Sequence, residues 1–320
     1  MIYTFAKNDR SREAFLAILQ ESGLDFEISE HDVSVVRVFG SVTPQIKARI
    51  ESVAVGASRL TLAQRPEMSC YEQISGRTSL TIIAGPCAVE SEEQIVSISE
   101  FLRTRGVKFL RGGAFKPRTS VDSFQGLGKP GLKLLRQSAD RYGMFVVTEV
   151  MDRSQIEIVG EYADILQVGS RNMYNYTLLA ALGSINRPIL LKRGMAATID
   201  EWLAAAEYIS RGGNDQIILC ERGIRTFEPK TAHTLDLAAI ALVKEQCSYP
   251  VIADPSHAAG RPDLVKPLAC AAVAAGADGI MIEIHPSPEQ ALSDGKQALT
   301  LEQFAALHDE VLMLDKARRQ

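Results

Sequence analysis

Residues 107–120 read VKFLRGGAFKPRTS. An apolar run ends in Arg111, two glycines follow, and a loop stiffened by Pro117 carries Lys116, Arg118, Thr119 and Ser120. Such a run suits a buried strand that delivers a cation, then hydrogen-bond donors, to one end of a core. The same grammar recurs along the chain. IIAGPC ends in Cys87, VVTEV contains Glu149, QVGSR ends in Arg171, and LLKRG contains Lys192. CERG contains Arg222, IADPSH ends in His257, and IMIEIH contains Glu283. These runs place strands at 80–84, 107–111, 144–149, 164–168, 188–192, 216–220, 250–254 and 279–284. Helical stretches are expected near 92–104, 129–141, 153–161, 173–184, 198–211, 234–246, 262–275 and 300–313. Eight Val-, Ile- and Leu-rich strands, each followed by a helix, predict an α/β fold: a (β/α)8 TIM barrel with its chemistry at one rim. A doubly wound open sheet competes less well, because no G-x-G-x-x-G follows the first strand.

The first 66 residues have a different texture. A short alternating strand (MIYTF), a helix from Ser11 to Gln20, paired strands at 24–28 and 33–39, a helix at 43–52 and a strand at 57–62 give the order βαββαβ. That is the order of a small ferredoxin-like domain. Thr43 is placed to cap the second helix, with Pro44 in its first turn. The division expected is 1–66 for this unit and 67–320 for the barrel. Residues 63–79 are polar and read as a linker ending in a short hairpin.

The formal net charge of −4 gives no general reason to expect nucleic-acid binding. No apolar run is long enough to span a bilayer, and MIYTFAKNDR lacks the apolar region of a signal peptide. Five cysteines, at spacings that suggest neither a disulfide framework nor a zinc knuckle, point to a reducing cytoplasm.

The rim itself reads as strongly cationic. Arg111, Lys116, Arg118, Arg171, Lys192 and Arg222 all fall at strand ends or just beyond, and Arg and Lys are the donors that phosphate and carboxylate groups require. So many like charges imply multiply anionic substrates, and they predict a loosely packed rim in the absence of ligand. In a barrel the first and last strands are neighbours, so Cys87, His257 and Glu283 converge, and Asp294 in ALSDG can fold over the same corner. A thiolate, an imidazole and two carboxylates form a mixed hard and soft set. It suits Mn, Fe, Co or Zn better than calcium, with Mn favoured. Glu149 is an interior carboxylate amid basic neighbours, suited to orienting substrate or water. Asp254 is placed to orient His257 or a lysine. His285 shares the face of Glu283; a place in the metal shell and a structural role are both open.

GPCAVES, FLRGGAFKPRTS, SFQGLG, TEVMD, QVGSRNMYN, LLKRGM, DPSHAAGR and the EIH…LSDG ending, taken in order over about residues 70–310, closely resemble the 3-deoxy-D-arabino-heptulosonate 7-phosphate (DAHP) synthases. The type resembled is the short microbial one related to KDO-8-phosphate synthase. The first 66 residues resemble the ferredoxin-like N-terminal domain of some members. The resemblance implies condensation of phosphoenolpyruvate with D-erythrose 4-phosphate and water, giving DAHP and phosphate at the start of the shikimate pathway. It implies Cys87, His257, Glu283 and Asp294 as ligands of a divalent metal. Arg111, Lys116, Arg171, Lys192 and Arg222 would bind phosphoenolpyruvate, and Arg118 and Thr119 the sugar phosphate. Lys116 or a metal-bound water would protonate the nascent alkoxide, and Glu149 would help position the attacking water. The resemblance also implies a homo-oligomer, with a tetramer expected, and a feedback effector such as tyrosine or phenylalanine at the small domain.

One departure stands out: Val121 and Asp122 follow KPRTS where the family commonly has Pro-Tyr, which bears on affinity for the sugar phosphate. A KDO-8-phosphate synthase, using arabinose 5-phosphate, would carry an Asn in a KANRS-like loop where this chain has Lys116-Pro117-Arg118-Thr119. A non-catalytic, metabolite-sensing barrel would be expected to lack metal ligands, and none is missing.

Overall fold

The computed structural model describes residues 2–6, 11–24, 26–30, 33–38, 43–53, 69–116 and 123–319. The chain divides into two compact units, Met1–Glu67 and Met68–Gln320.

In the first unit, β1 (Ile2–Ala6), α1 (Ser11–Glu21), β2 (Phe26–Glu30), β3 (Val33–Val38) and α2 (Pro44–Val53) follow the expected order. The sheet order is β1-β3-β2, with β3 antiparallel to both neighbours. Phe15, Ile18 and Leu19 of α1 meet Val36 and Ile50 in a small core. Thr43 Oγ1 accepts from the backbone N–H of Ile46, as a cap should. The expected strand at 57–62 lies outside the described residues.

The second unit is a closed parallel barrel of eight strands. They are β4 (Thr81–Gly85), β5 (Phe109–Arg111), β6 (Phe145–Glu149), β7 (Ile165–Val168), β8 (Ile189–Lys192), β9 (Ile217–Glu221), β10 (Val251–Ala253) and β11 (Gly279–Glu283). Between β4 and β9 run α4 (Glu92–Thr104), α5 (Lys129–Tyr142), α6 (Ile156–Tyr162), α7 (Tyr176–Gly183) and α8 (Ile199–Ser210). Then come α9 (Leu237–Gln246), α10 (Pro255–Ala259), α11 (Pro262–Ala274) and α12 (Leu301–Arg318). Closure comes from β11 pairing with β4, from Gly279 opposite Thr81 to Glu283 opposite Gly85. Nearly every strand residue is buried, which explains runs that are apolar throughout rather than alternating.

Residues 69–79 correct the expectation of a linker and hairpin. Cys70–Ser75 is a helix, α3, started by a capping box in which Ser69 and Glu72 satisfy each other's backbone N–H. Ile74 is fully buried in a cluster with Ile83, Phe109, Phe145, Ile165, Ile218 and Ile252. The Tyr71 hydroxyl donates to the carbonyl of Asp215, and Arg77 donates to those of Ser248 and Tyr249, all just before strands begin. So α3 is the floor of the barrel, at the end opposite the rim where chemistry is expected. Residues 63–68 of the same stretch lie outside the described residues, as do Arg118, Thr119, Val121 and Asp122.

Candidate active site

At the C-terminal ends of the strands a cavity of about 220 Å3 opens. Arg111, Lys116, Arg171, Lys192 and Arg222 line it, together with Glu149, His257 and Asp294. The five described cations expected at the rim therefore converge. Gln167, Ser123, Ser170 and Met195 also line the cavity and had not been singled out. Gln167 carried a usable signal, since it is a buried polar side chain inside an otherwise apolar strand.

The expectation of a loosely packed, mutually repelling rim is corrected by its carboxylates. Arg111 donates to Glu283 at 2.6 Å, with both side chains buried. Lys192 donates to Asp254 at 2.5 Å, again between buried side chains. Asp254 also accepts from the backbone N–H of His257, and its Oδ2 lies 2.7 Å from His257 Nδ1. Burial opposes ionisation of Asp254, but His257 and Lys192 outweigh it and hold the carboxyl well below its usual range. Burial likewise opposes the charge on Glu283, and His257, Arg111 and Lys116 overcome it in the same direction. Arg222 is different: burial lowers its pKa, and no carboxylate among the described residues lies within ion-pair distance. Arg193 is turned away from the cavity. It pairs with Glu221 and Asp236 and braces β8 against β9.

Glu149 reaches the cavity because its neighbour is small. A Cβ on Gly169 would stand 2.1 Å from Glu149 Oε1, so only glycine leaves the carboxylate where it is.

Beside the cavity, Cys87, Glu283 and Asp294 gather with ligand atoms all within 4.8 Å of one another. Cys87 Sγ donates to Asp294 Oδ2 at 2.9 Å and stands 3.1 Å from Ser293 Oγ. Lys116 Nζ donates to the same sulfur at 2.9 Å and to the Cys87 carbonyl at 3.1 Å. His257 approaches through Nε2, 3.4 Å from Glu283 Oε1, but it stands outside the mutual cluster of three. Burial and the charge of Glu283 push the Cys87 thiol up to about 12, against the pull of Lys116 and Arg111. Donors bound at about 2.0–2.3 Å to a shared ion stand at most about 4.6 Å apart. Cys87 Sγ and Asp294 Oδ2, at 2.9 Å, fall inside that limit, and the 4.8 Å that bounds the whole cluster lies just above it, within a small adjustment on binding a small divalent cation. The ion would displace the thiol proton on binding. His285 takes the structural alternative: its Nε2 faces Glu90 at 3.3 Å.

Fold and site together define a class: a (β/α)8 barrel enzyme whose rim offers a cationic, anion-binding cavity beside a thiol–carboxylate cluster fit for a metal. The chain belongs to the DAHP synthetase I family, whose pattern matches residues 55–318. It is 54% identical over 242 residues to the phospho-2-dehydro-3-deoxyheptonate aldolase of Thermotoga maritima, an alignment covering 76% of this chain and 72% of that one. A crystal structure of that Thermotoga maritima DAHP synthase matches 99% of this chain and 97% of its own, with 41% identity and a TM-score of 0.74. The 2-dehydro-3-deoxyphosphooctonate aldolase of Syntrophobacter fumaroxidans is more distant, at 31% identity over 77% of this chain and 91% of that one. The protein is an enzyme of the DAHP synthase type.

Proposed function

We propose that the rim cavity and the cluster beside it form one active site, in which phosphoenolpyruvate condenses with D-erythrose 4-phosphate and water to give DAHP and phosphate. The observation that carries this reading is the convergence of five cations on one cavity that Asp294 also lines, beside the cluster Asp294 forms with Cys87 and Glu283. Arg111, Lys116, Arg171, Lys192 and Arg222 hold the carboxylate and phosphate of phosphoenolpyruvate and neutralise charge as it develops. Arg118 and Thr119 hold the sugar phosphate. Cys87, His257, Glu283 and Asp294 are the proposed ligands of a divalent ion, with Mn favoured over Fe, Co and Zn. When bound, such an ion supplies Lewis-acid polarisation of the aldehyde.

Carbon 3 of phosphoenolpyruvate attacks the aldehyde carbon, water adds at carbon 2, and the resulting tetrahedral centre expels phosphate by C–O cleavage. Lys116, already donating to Cys87 at the cavity wall, is the chain's own candidate to protonate the alkoxide. Glu149, held against Gly169, orients the attacking water. The test is phosphate release from phosphoenolpyruvate with each acceptor sugar. Turnover with erythrose 4-phosphate and none with arabinose 5-phosphate is expected. Turnover with the five-carbon sugar alone would reassign the substrate.

The first unit is proposed to be a ferredoxin-like domain, residues 1–66, that binds an aromatic amino acid such as tyrosine or phenylalanine as a feedback effector. The β1-β3-β2 order with two helices supports the fold. The proposed assembly is a homotetramer, whose mass light scattering would read. Tyr174, Tyr176 and Tyr208 are exposed and Phe227 is 99% exposed, which supports association. A cytoplasmic location is supported by five cysteines held as thiols rather than in disulfides. No helix among the described residues is long and apolar enough to cross a membrane.

A further inference from the structure

Two nearly buried ionisable side chains near the rim have no part in the chemistry above. They are Glu90, in the loop after β4, and His285, just beyond β11, with side chains 11% and 9% exposed. They meet at 3.3 Å through Glu90 Oε2 and His285 Nε2. His285 Nδ1 accepts from the backbone N–H of Ser287 at 3.0 Å. That nitrogen is therefore unprotonated, and Nε2 carries the hydrogen that points at Glu90. The other oxygen of Glu90 accepts from the backbone N–H of Leu292 at 2.9 Å.

These contacts bear on one loop. Its ends are tied, because His285 N–H donates to the Leu299 carbonyl and Leu299 N–H donates to the Glu283 carbonyl. Its middle is pinned to the first strand's loop by Glu90 at Leu292. Two residues further on stands Asp294, whose carboxylate accepts from Cys87 Sγ at 2.9 Å. Asp294 adopts φ 53°, in the left-handed region that non-glycine residues visit uncommonly and aspartate more readily than most. Gly295 follows, where a Cβ would stand 2.1 Å from the Pro288 carbonyl, so the loop is folded tightly on itself. Leu292, by contrast, is 57% exposed, and its burial cannot be what fixes the loop.

We propose that Glu90 and His285 are positioning residues that set Asp294 against Cys87, so that the metal ligands from the first and last strands of the barrel arrive preassembled. The inference rests on the reading of Cys87, His257, Glu283 and Asp294 as metal ligands. The glutamate spans the seam between the first and last strands, and the histidine fixes the carboxylate so that one oxygen stays on Leu292. Partners hydrogen-bonded directly to the ligands typically carry tenfold to hundredfold of metal affinity. Glu90 acts one step further out, through the backbone N–H of Leu292 two residues before Asp294, so the lower end of that range is the loss expected.

The test is Co2+ binding to the full chain, read by competition with a chelator and by the cobalt–thiolate charge-transfer band. His285→Leu removes the donor to Glu90, His285→Gln keeps a donor, and Glu90→Gln removes the charge that receives it. Expected are Kd values about tenfold or more weaker for His285→Leu and Glu90→Gln, with a weakened band, and substantial recovery in His285→Gln. In the double variant Glu90→Gln/His285→Leu the two losses should not add, as for residues acting as a unit. Unchanged Kd and band in the single variants, with folding verified by circular dichroism, would overturn the inference, as would His285→Gln binding as weakly as His285→Leu. Should Glu90→Gln not fold, the two His285 variants decide alone. Absence of the band in the unaltered protein would instead remove the metal reading on which the inference stands.

Discussion

At the scale of the residue, the site is a set of opposed charges solved locally. Arg111 with Glu283, and Lys192 with Asp254, show that a rim read from sequence as strongly cationic is partly neutralised from within. The cations are legible because each falls at the end of an apolar run or just beyond it. Their carboxylates are partly legible: Asp254 reads as orienting His257 or a lysine and meets both, whereas Glu283 reads as a ligand and also pairs with Arg111. Which acid meets which base depends on the barrel register, and that is not a property of any local stretch. The same holds for His257, which sequence places with the other ligands and the structure places 3.4 Å from Glu283, outside the cluster of three. A second histidine illustrates a pH effect. Burial, assisted by the charge of Arg222, pushes His233 down to about 4 from the ordinary imidazole value near 6.5. Its folded-state pKa lies below its unfolded one, so its contribution to stability is full above about pH 6.5 and is lost as pH falls towards about 4. Urea unfolding across that window should show stability rising with pH, and His233→Gln should flatten the slope. An unchanged slope in the variant would refute the assignment.

At the scale of the element, all eight barrel strands lie within one or two residues of their sequence-based positions. Runs such as TIIAG and FVVTE are bounded by turns and buried on both faces. The helix α3 escaped notice for a physical reason. It has six residues, offers little periodicity, and sits in a polar stretch. Only the pair Ser69 and Glu72 announced its start. Its importance comes from tertiary packing, since Ile74 closes the floor of the barrel. Ile74→Ala should therefore lower the unfolding free energy by about 2–5 kcal/mol, as large-to-small changes in a packed core do. Because α3 lies at the end opposite the rim, activity per folded molecule should be retained. Denaturant midpoints and specific activity measured on the same sample would check both parts. A cost below about 1 kcal/mol would mean that the floor collapses around the gap.

At the scale of the whole molecule, the chain divides into two units, Met1–Glu67 and Met68–Gln320. If the first unit is a feedback domain, a chain reduced to residues 68–320, which keeps Ser69 and α3 intact, should retain turnover and lose inhibition by tyrosine or phenylalanine. Retained inhibition would move the effector site to the barrel. The central claim is that the cationic cavity and the cluster of Cys87, Glu283 and Asp294 form a single metal-requiring active site. The most direct test is to strip the protein with a chelator and titrate Mn2+ back. Bound ion per chain would be followed alongside phosphate release from phosphoenolpyruvate and erythrose 4-phosphate. The expected result is turnover that rises in step with one ion per chain and is absent in Cys87→Ala at every metal concentration. Full turnover in the stripped protein, or in Cys87→Ala, would contradict it.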